Sequence, residues 1–529
     1  MNYKEKPITY LMKPEERKAC AEYNRSLGAS FCRKFLIPSL LYALCYTFFM
    51  YDNPASITMP LWVLCTILYS CYVFKHMDIT RKRDSILYFI IMMLLGISSA
   101  LTDSFPILVM NYVGFFILLV ATLLHNFCND REWDFSQYLA QIFLATTCSF
   151  GYVNRPVTDL IAYHHQSRNT DAKSKLGKNI LIGCLAAIPC LFVLGNCLAS
   201  ADAIFGDMLA HIFDFLSIET VIEVLVMFCF GLFSCYCGIR FLASKKLDET
   251  AKPTKQRDPV IAITTLSIIS VMYVIFCLIQ IVYLFFGKSG LPYEMTYAEY
   301  ARTGFFQLLF VCAINFVGVL LVKKLFASHK VLDMLLILFS ICTFIMIASS
   351  AYRMLLYIGA YHLTFTRIFV LVALLLLTLL MLGSILMIVR PEFNFFRYSM
   401  IVVSVIYLCF SFAHVDYFIA TYNLSFENEL YFGTDEEAVD LNYISKLSTD
   451  AAPAIAKYMN THYKDDISFQ MYLDSYHSKN DIYEYFDHAS YDSFYFYFKY
   501  LDKHVEALSR DGIRSFNLSH YFAQKMLPQ

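Results

Sequence analysis

Apolar runs of about 20 residues, the length an α-helix needs to cross a bilayer core, recur from residue 35 to 417 with short polar stretches between them. The pattern predicts eleven spans, at about 35–51, 59–75, 85–101, 106–126, 179–199, 219–240, 259–286, 304–322, 331–351, 366–389 and 398–416. Asp258-Pro259 reads as a helix start, with the aspartate as cap and the proline in the first turn. Residues 135–153 are apolar enough to suggest a further crossing.

The distribution of Lys and Arg decides that question. With the N-terminus inside, residues 1–34, the loop after the second span, 127–178, 241–258, 323–330 and 390–397, with their flanks, hold 29 of the 42 basic residues. The opposite short loops hold four, Lys288, Arg302, Arg353 and Arg367. Basic residues stay on the cytoplasmic side. A crossing at 135–153 would invert every later loop, so 133–165 is expected as an amphipathic helix in the inner interface. Trp133 and Tyr138 suit that depth, and Arg155-Pro156 breaks the helix. The odd count then puts 418–529 outside.

Composition agrees. The 529 residues are 58% hydrophobic and 16% charged, with mean hydropathy +0.52, whereas soluble domains carry about 25% charged residues. The net charge of −1 says little, because charge is segregated along the chain. Residues 1–34 form a basic leader and 35–417 the transmembrane bundle. Residues 418–529 hold 17 Asp and Glu against nine Lys and Arg, with 24 Phe and Tyr. This tail is expected to be a small, acidic, mainly helical domain. A helix follows Thr449 or Asp450 as cap, with Pro453 in its first turn; another runs from about Tyr495; Asn517 caps the last. None of the 17 cysteines lies in the tail, which argues against a disulfide framework. Cys235 and Cys237 form a CxC too weak to indicate a metal.

Candidate chemistry gathers at the outer mouth. The stretch LPYEMTYAEYARTGFFQLL (291–309) carries Glu294, Glu299 and Arg302 among Tyr293, Tyr297 and Tyr300. In SSAYRMLLYIGAYHLTFTR (349–367), Arg353, Tyr357 and Tyr361 recur every four residues and share a helical face. Gly359 is expected to turn the chain, and Arg367 opens the next span. Asp202, Glu219, Glu223, Gln307 and Asp416 fall at comparable depth. Charges within a membrane are costly and generally face a bundle interior and pair. Two readings stand: an ion-pair cluster, Glu294 and Glu299 with Arg353 and Arg367, that pins helices and docks the tail; or a site for a charged or polar ligand, arginine suiting phosphate or carboxylate. Asn111, Asn196, Gln280 and Asn315 are expected to bond between helices. His414 near Asp416 is a proton-sensitive pair.

No GxxxxGK[ST], HExxH or GxSxG occurs, so no cofactor, metal or catalytic residue is expected and an enzyme on lipid-linked envelope substrates is the weakest reading. A non-enzymatic role in envelope sensing, scaffolding or assembly leads. A secondary transporter or flippase for a polar or anionic substrate is the alternative, with Pro189 and Gly195 as helix-breaking cues. Expected partners are the lipid bilayer, an envelope component or anionic lipid headgroup, and another membrane protein; nucleic acid is not expected.

Six segments carry a resemblance: LASADAIF (198–205), TYAEYARTGFFQLL (296–309), RMLLYIGAYHLTFTR (353–367), VDYFIATYNL (415–424), LNYISKLSTDAAPAI (441–455) and RSFNLS (514–519). In this order they resemble a bacterial multi-pass membrane family catalogued as domain of unknown function 4173, related to 4153. The family's third segment has glycine where His362 stands. The resemblance implies a polytopic cell-membrane protein with no established activity, whose outer-mouth segments form one unit with the tail.

Overall fold

Where water is absent, every backbone N–H and C=O must be satisfied within its own segment, so long apolar runs form helices. The structure, a computed structural model, describes residues 13–53, 55–130, 133, 135–167, 218–244, 257–285, 305–390, 392–426, 430–431, 439–477, 494–509 and 512–527. It is an all-α bundle of polytopic type. Extended pairing among the described residues is confined to a two-residue parallel pair, β1 (Leu430–Tyr431) with β2 (Val439–Asp440), and a bridge between Arg257 and Phe326. The described residues fall into two compact units. One draws on 1–54, 58–96 and 114–251, the other on 55–57, 97–113 and 252–529.

The first unit contains α1 (Pro14–Met50) and α2 (Thr58–His76). It also takes α3 (Ser85–Leu101) as far as Gly96 and α4 (Phe105–Phe127) from Gly114. The rest is α5 (Phe135–Ser149), α6 (Arg155–Ser167) and α7 (Ile218–Ser244). From Pro14 the leader segment is helical: α1 runs unbroken through residue 34, burying Leu27, Phe31 and Phe35 on one face. The expected helix at 133–165 is two helices, divided at 150–154, and Arg155-Pro156 opens the second. Proline there sets φ for a first turn and removes an N–H that would be unpaired anyway.

At the centre of this unit Asp159 of α6 meets Arg240 and Tyr236 of α7, with Nε–Oδ2 and OH–Oδ2 distances of 3.0 and 3.1 Å. Arg240 is completely buried and its guanidinium lies 5.3 Å from the centre of the Phe31 ring. Gly28 of α1 admits this contact, since a Cβ there would collide with Asp159 Oδ1. A second buried acid, Asp130, accepts from Lys82 at 2.6 Å and pairs with His125.

The second unit continues with α8 (Pro259–Phe285), α9 (Phe305–Leu325), α10 (Lys330–Tyr361), α11 (Phe365–Val389), α12 (Phe395–Ser411) and α13 (Val415–Asn423). The tail follows as α14 (Leu441–Ile444), a 3₁₀ turn at Thr449–Ala451, α15 (Ala452–His462), α16 (Ile467–His477), α17 (Tyr495–Ser509) and α18 (Leu518–Met526). Asp258 caps α8 as expected, accepting from Val260 N at 2.9 Å. Asn517 caps α18 through Ser519 N at 2.8 Å.

Among the described residues, α1, α2, α4 and α7 to α11 are long and apolar enough to cross a membrane. The pair α12 and α13, bent by 52°, would make a ninth crossing, and α3 is a shorter apolar helix of 17 residues. The expected span at 179–199, with Pro189, Gly195 and Asn196, lies outside the described residues. Polar side chains tie these helices together: Asn315 accepts from Tyr273 at 2.8 Å and donates to Thr343 at 3.0 Å. Asn111 donates to Ser99 at 3.0 Å and accepts from Tyr407 at 2.7 Å and Ser411 at 2.9 Å.

The core of this unit is continuous from helix bundle to tail. Ile107, Phe410, Val415 and Ile419 pack in one cluster with Leu441, Ile444, Ile455 and the aromatic run Phe494, Phe496, Tyr497, Phe498 and Tyr500. The alternating aromatics of 494–500, which also fit a strand, form helix because both faces of α17 find apolar partners.

Removing one member of a buried ion pair leaves an uncompensated charge and costs about 3–5 kcal/mol, whereas replacing both by apolar groups can be neutral. Asp159→Ala is therefore expected to lower the thermal midpoint of the detergent-solubilised chain strongly. Asp159→Leu combined with Arg240→Met should recover most of that loss; a double variant as unstable as the single one would contradict this account.

Candidate functional site

Of the residues singled out at the outer mouth, Glu294, Glu299, Arg302 and Asp202 lie outside the described residues, as do Tyr293, Tyr297 and Tyr300. Glu219 and Glu223 are exposed on α7, and Gln307 is exposed on α9. The remainder divide between two places in the second unit.

The first is the turn from α10 to α11. Helix α10 persists to Tyr361, so Arg353, Tyr357 and Tyr361 share a face. Gly359 lies inside the helix, and the chain turns instead at His362, whose φ is +61°. Glycine reaches that conformation without steric cost, whereas other residues need their surroundings to impose it. The surroundings do so here. The Arg367 guanidinium donates to the carbonyls of Tyr361 and His362 and lies 4.3 Å from the centre of the Tyr357 ring. The amide of Asn423 holds Leu363 at both its N–H and its C=O, each at 2.9 Å. Tyr443 of α14 accepts from Phe365 N at 2.9 Å. Arg353 sits two turns back, buried, with Nη2 3.1 Å from Gln280 Oε1, which also accepts from Ser349 at 2.7 Å.

The second place is a cluster of aspartates where the tail meets the ends of the apolar helices. Asp450 is buried, its side chain 1% exposed; Oδ2 accepts from Thr102 in the α3–α4 turn, and Oδ1 lies 3.6 Å from His414 Nδ1. Asp416, at the start of α13, accepts from the backbone N–H of Ser448 at 3.2 Å and from its hydroxyl at 2.5 Å. Asp103 Oδ2 lies 3.3 Å from His520 Nε2 and 3.4 Å from Thr449 Oγ1, which shares a hydrogen bond of 2.7 Å with Ser519. Asn517 donates to Ala55 O at 2.6 Å and Thr102 O at 3.0 Å while its Oδ1 caps α18. Ile57 N donates to Phe516 O at 2.8 Å.

Two expectations change here. His414 pairs with Asp450 rather than with Asp416, because Asp416 is occupied by Ser448, 32 residues further along the chain. Thr449 and Asp450 do not cap α15; Ala451 holds the cap position, and the two side chains are drawn into contacts with α18 and the α3–α4 turn instead. Asp103 and His520, which complete the cluster, carry no local signal beyond Asp103 lying in a Thr-Asp-Ser turn between apolar runs.

Helix α17 closes the cluster from the tail side. Tyr500 donates to Ser448 O at 2.8 Å, and burial holds its phenol well above the usual range. Lys503 is exposed as a whole, but its ammonium donates to the carbonyls of Lys446 and Leu447; partial desolvation there lowers its pKa, while Asp103 and Asp416 oppose that shift. His504 Nε2 lies 2.8 Å from Leu447 O, an acceptor only, so this nitrogen carries the proton. Burial lowers the pKa of His504. The arrangement holds acids and bases in fixed pairs, and no group of three or more metal-ligating side chains suited to an ion occurs among the described residues.

Asn517→Ala removes two donors from carbonyls in buried surroundings, each costing about 1–3 kcal/mol when left unpaired. The tail should become markedly more sensitive to protease in the full chain. Asn517→Asp retains the cap but not the donors, so it should behave like the alanine variant; wild-type resistance in Asn517→Asp would assign the effect to capping alone. For His504 the folded pKa lies below the ordinary 6.5, so its neutral form carries the stability. That contribution is fully present above pH 6.5 and is lost as pH falls below it. His504→Gln, which supplies an amide N–H to Leu447 O, should flatten the acid limb of thermal stability measured against pH.

The model of a family described as Domain of unknown function (DUF4153) matches residues 89–458. That range covers the α10–α11 turn and the aspartates at 103, 416 and 450. No curated protein and no solved structure matches the chain. An all-α polytopic bundle whose α3–α4 turn, α12–α13 break and tail interlock at these aspartates belongs to the DUF4153 family.

Proposed function

We propose that this is a non-enzymatic, multi-pass protein of the bacterial cell membrane, acting in envelope sensing, scaffolding or assembly through an extracytoplasmic C-terminal cap. The observation that carries the reading is the interlock of Asp450, Thr449, Asn517 and Ser519 of the tail with Thr102, Asp103 and Ala55 at the ends of apolar helices. A side-chain set committed to hydrogen bonds and pairs positions a domain; it offers no activated nucleophile or poised base. The bias of basic residues supports an N-terminus inside and the tail outside. Kinship with the related family catalogued as 4173, carried by the ordered segments from LASADAIF to RSFNLS, is part of the same reading.

Partners in this reading are the bilayer, an envelope component or anionic headgroup, and another membrane protein. Glu294, Glu299 and Arg302 are the charges expected to meet such a partner.

Topology is the decisive test. Ile513, 90% exposed, replaced by cysteine in a background with native thiols blocked, should react with a membrane-impermeant maleimide in intact cells. Lys330→Cys, at the start of α10 on the side expected to be cytoplasmic, should react only after permeabilisation. The reverse pattern would place the tail in the cytosol and remove the proposed role.

A further inference from the structure

Two histidine–carboxylate pairs join the tail to the ends of the apolar helices, and they run in opposite senses. His414, in the break between α12 and α13, reaches Asp450 of the tail at 3.6 Å. His520, on α18 of the tail, reaches Asp103 of the α3–α4 turn at 3.3 Å. A permanent clamp needs only lysine or arginine. Histidine is the side chain whose charge changes between about pH 5 and 8, and both crossings use it.

The backbone adds a second observation. His414 has φ +47°, a left-handed conformation that strains a residue other than glycine. Such a conformation persists where neighbours over-determine it, and here it stands at the bend of 52° between α12 and α13. The ring that faces Asp450 is therefore mounted on the joint that sets the direction of α13, whose first turn carries Asp416 to Ser448.

We propose that the two pairs form a proton-operated latch, in which charging of His414 and His520 tightens the tail onto the helix ends and discharging loosens it. The groups around the pairs give the sign. Asp416 faces them from α13; Tyr500, Lys503 and His504 face them from α17, close enough for Asp103 and Asp416 to act on Lys503 and for His520 to act on His504. Lys446 and Lys503 are both exposed and their charges are screened. With both latch histidines protonated, His414 and His520 offset two of the three carboxylates Asp103, Asp416 and Asp450. With both neutral, that offset is gone from a partly buried cluster, and like charges in a shared site repel. Docking is therefore tightest on the acid side of the histidine range and weakens as pH rises through it. His504 acts in the other direction, and only below its ordinary pH 6.5. The two effects occupy separate windows.

This inference rests on the reading of the tail as a docked cap. Hydrogen exchange of the full chain in nanodiscs, corrected for the intrinsic base-catalysed rate, tests both. Protection of the Ser448 and Ile57 amides, which bond Asp416 and Phe516 O, should fall about tenfold between about pH 6.5 and 8, the range over which histidine gives up its charge. Residues 340–349 of α10 serve as the control and should not respond. The double variant His414→Asn and His520→Gln should abolish the dependence; asparagine tolerates the left-handed backbone, so charge is removed without the turn. Should that variant fail to fold, each single variant must roughly halve the response. Strong protection at every pH in the wild type would overturn the latch and leave the docked cap standing. Weak protection at every pH would overturn both. A response that survives in the variants would show that the histidines do not operate it.

Discussion

Everything distinctive about the second unit follows from polar groups stranded at the ends of apolar helices. The α3–α4 turn ends in carbonyls and a carboxylate, at Thr102 and Asp103, with the buried acids Asp416 and Asp450 beside it. An unpaired buried polar group costs as much as the hydrogen bond it lacks, so these positions demand partners. The 446–451 segment and the start of α18 supply them, through Ser448, Thr449, Asn517 and Ser519. The tail is thus part of the same core as the bundle. Its aromatic residues at 494–500 bury against the same cluster that contains Phe410 and Ile419.

The two strained histidines mark where this demand overrides local preference. His362 and His414 both adopt positive φ, each at a junction between helices and each surrounded by contacts to distant residues. At His362 the Arg367 guanidinium and the Asn423 amide hold the turn from either side. Glycine is the residue such a φ would select on local grounds. A histidine in its place transfers the stabilisation of the turn from the backbone to the tertiary contacts around it.

The first unit solves a related problem differently. Asp159 and Arg240 are buried together and share Tyr236, with Gly28 leaving room for the carboxylate. No histidine enters that pair. By contrast, Asp130 meets both Lys82 and His125, combining a fixed and a titratable cation in one cluster. Buried pairs of this kind fix which helix face meets which, more than they add net stability.

Hydrophobic periodicity and length determined the all-α bundle, the positions of its helices and the caps at Asp258 and Asn517, because each depends on residues within one turn of one another. The interhelical roles of Asn111, Gln280 and Asn315 were also legible, since an amide in an apolar run has nowhere else to bond. What the sequence could not determine was pairing. Arg353 meets Gln280 and Arg367 meets backbone carbonyls; His414 chooses Asp450 over its near neighbour Asp416. Thr449 and Asp450 turn away from the helix they would cap. Asp103 with His520, and Thr102 with Asp450, are separated by more than three hundred residues, and no local pattern links them. Only the packing of the tail on the helix ends brings them within reach, because burial, rather than spacing along the chain, dictates which donor each carboxylate can find.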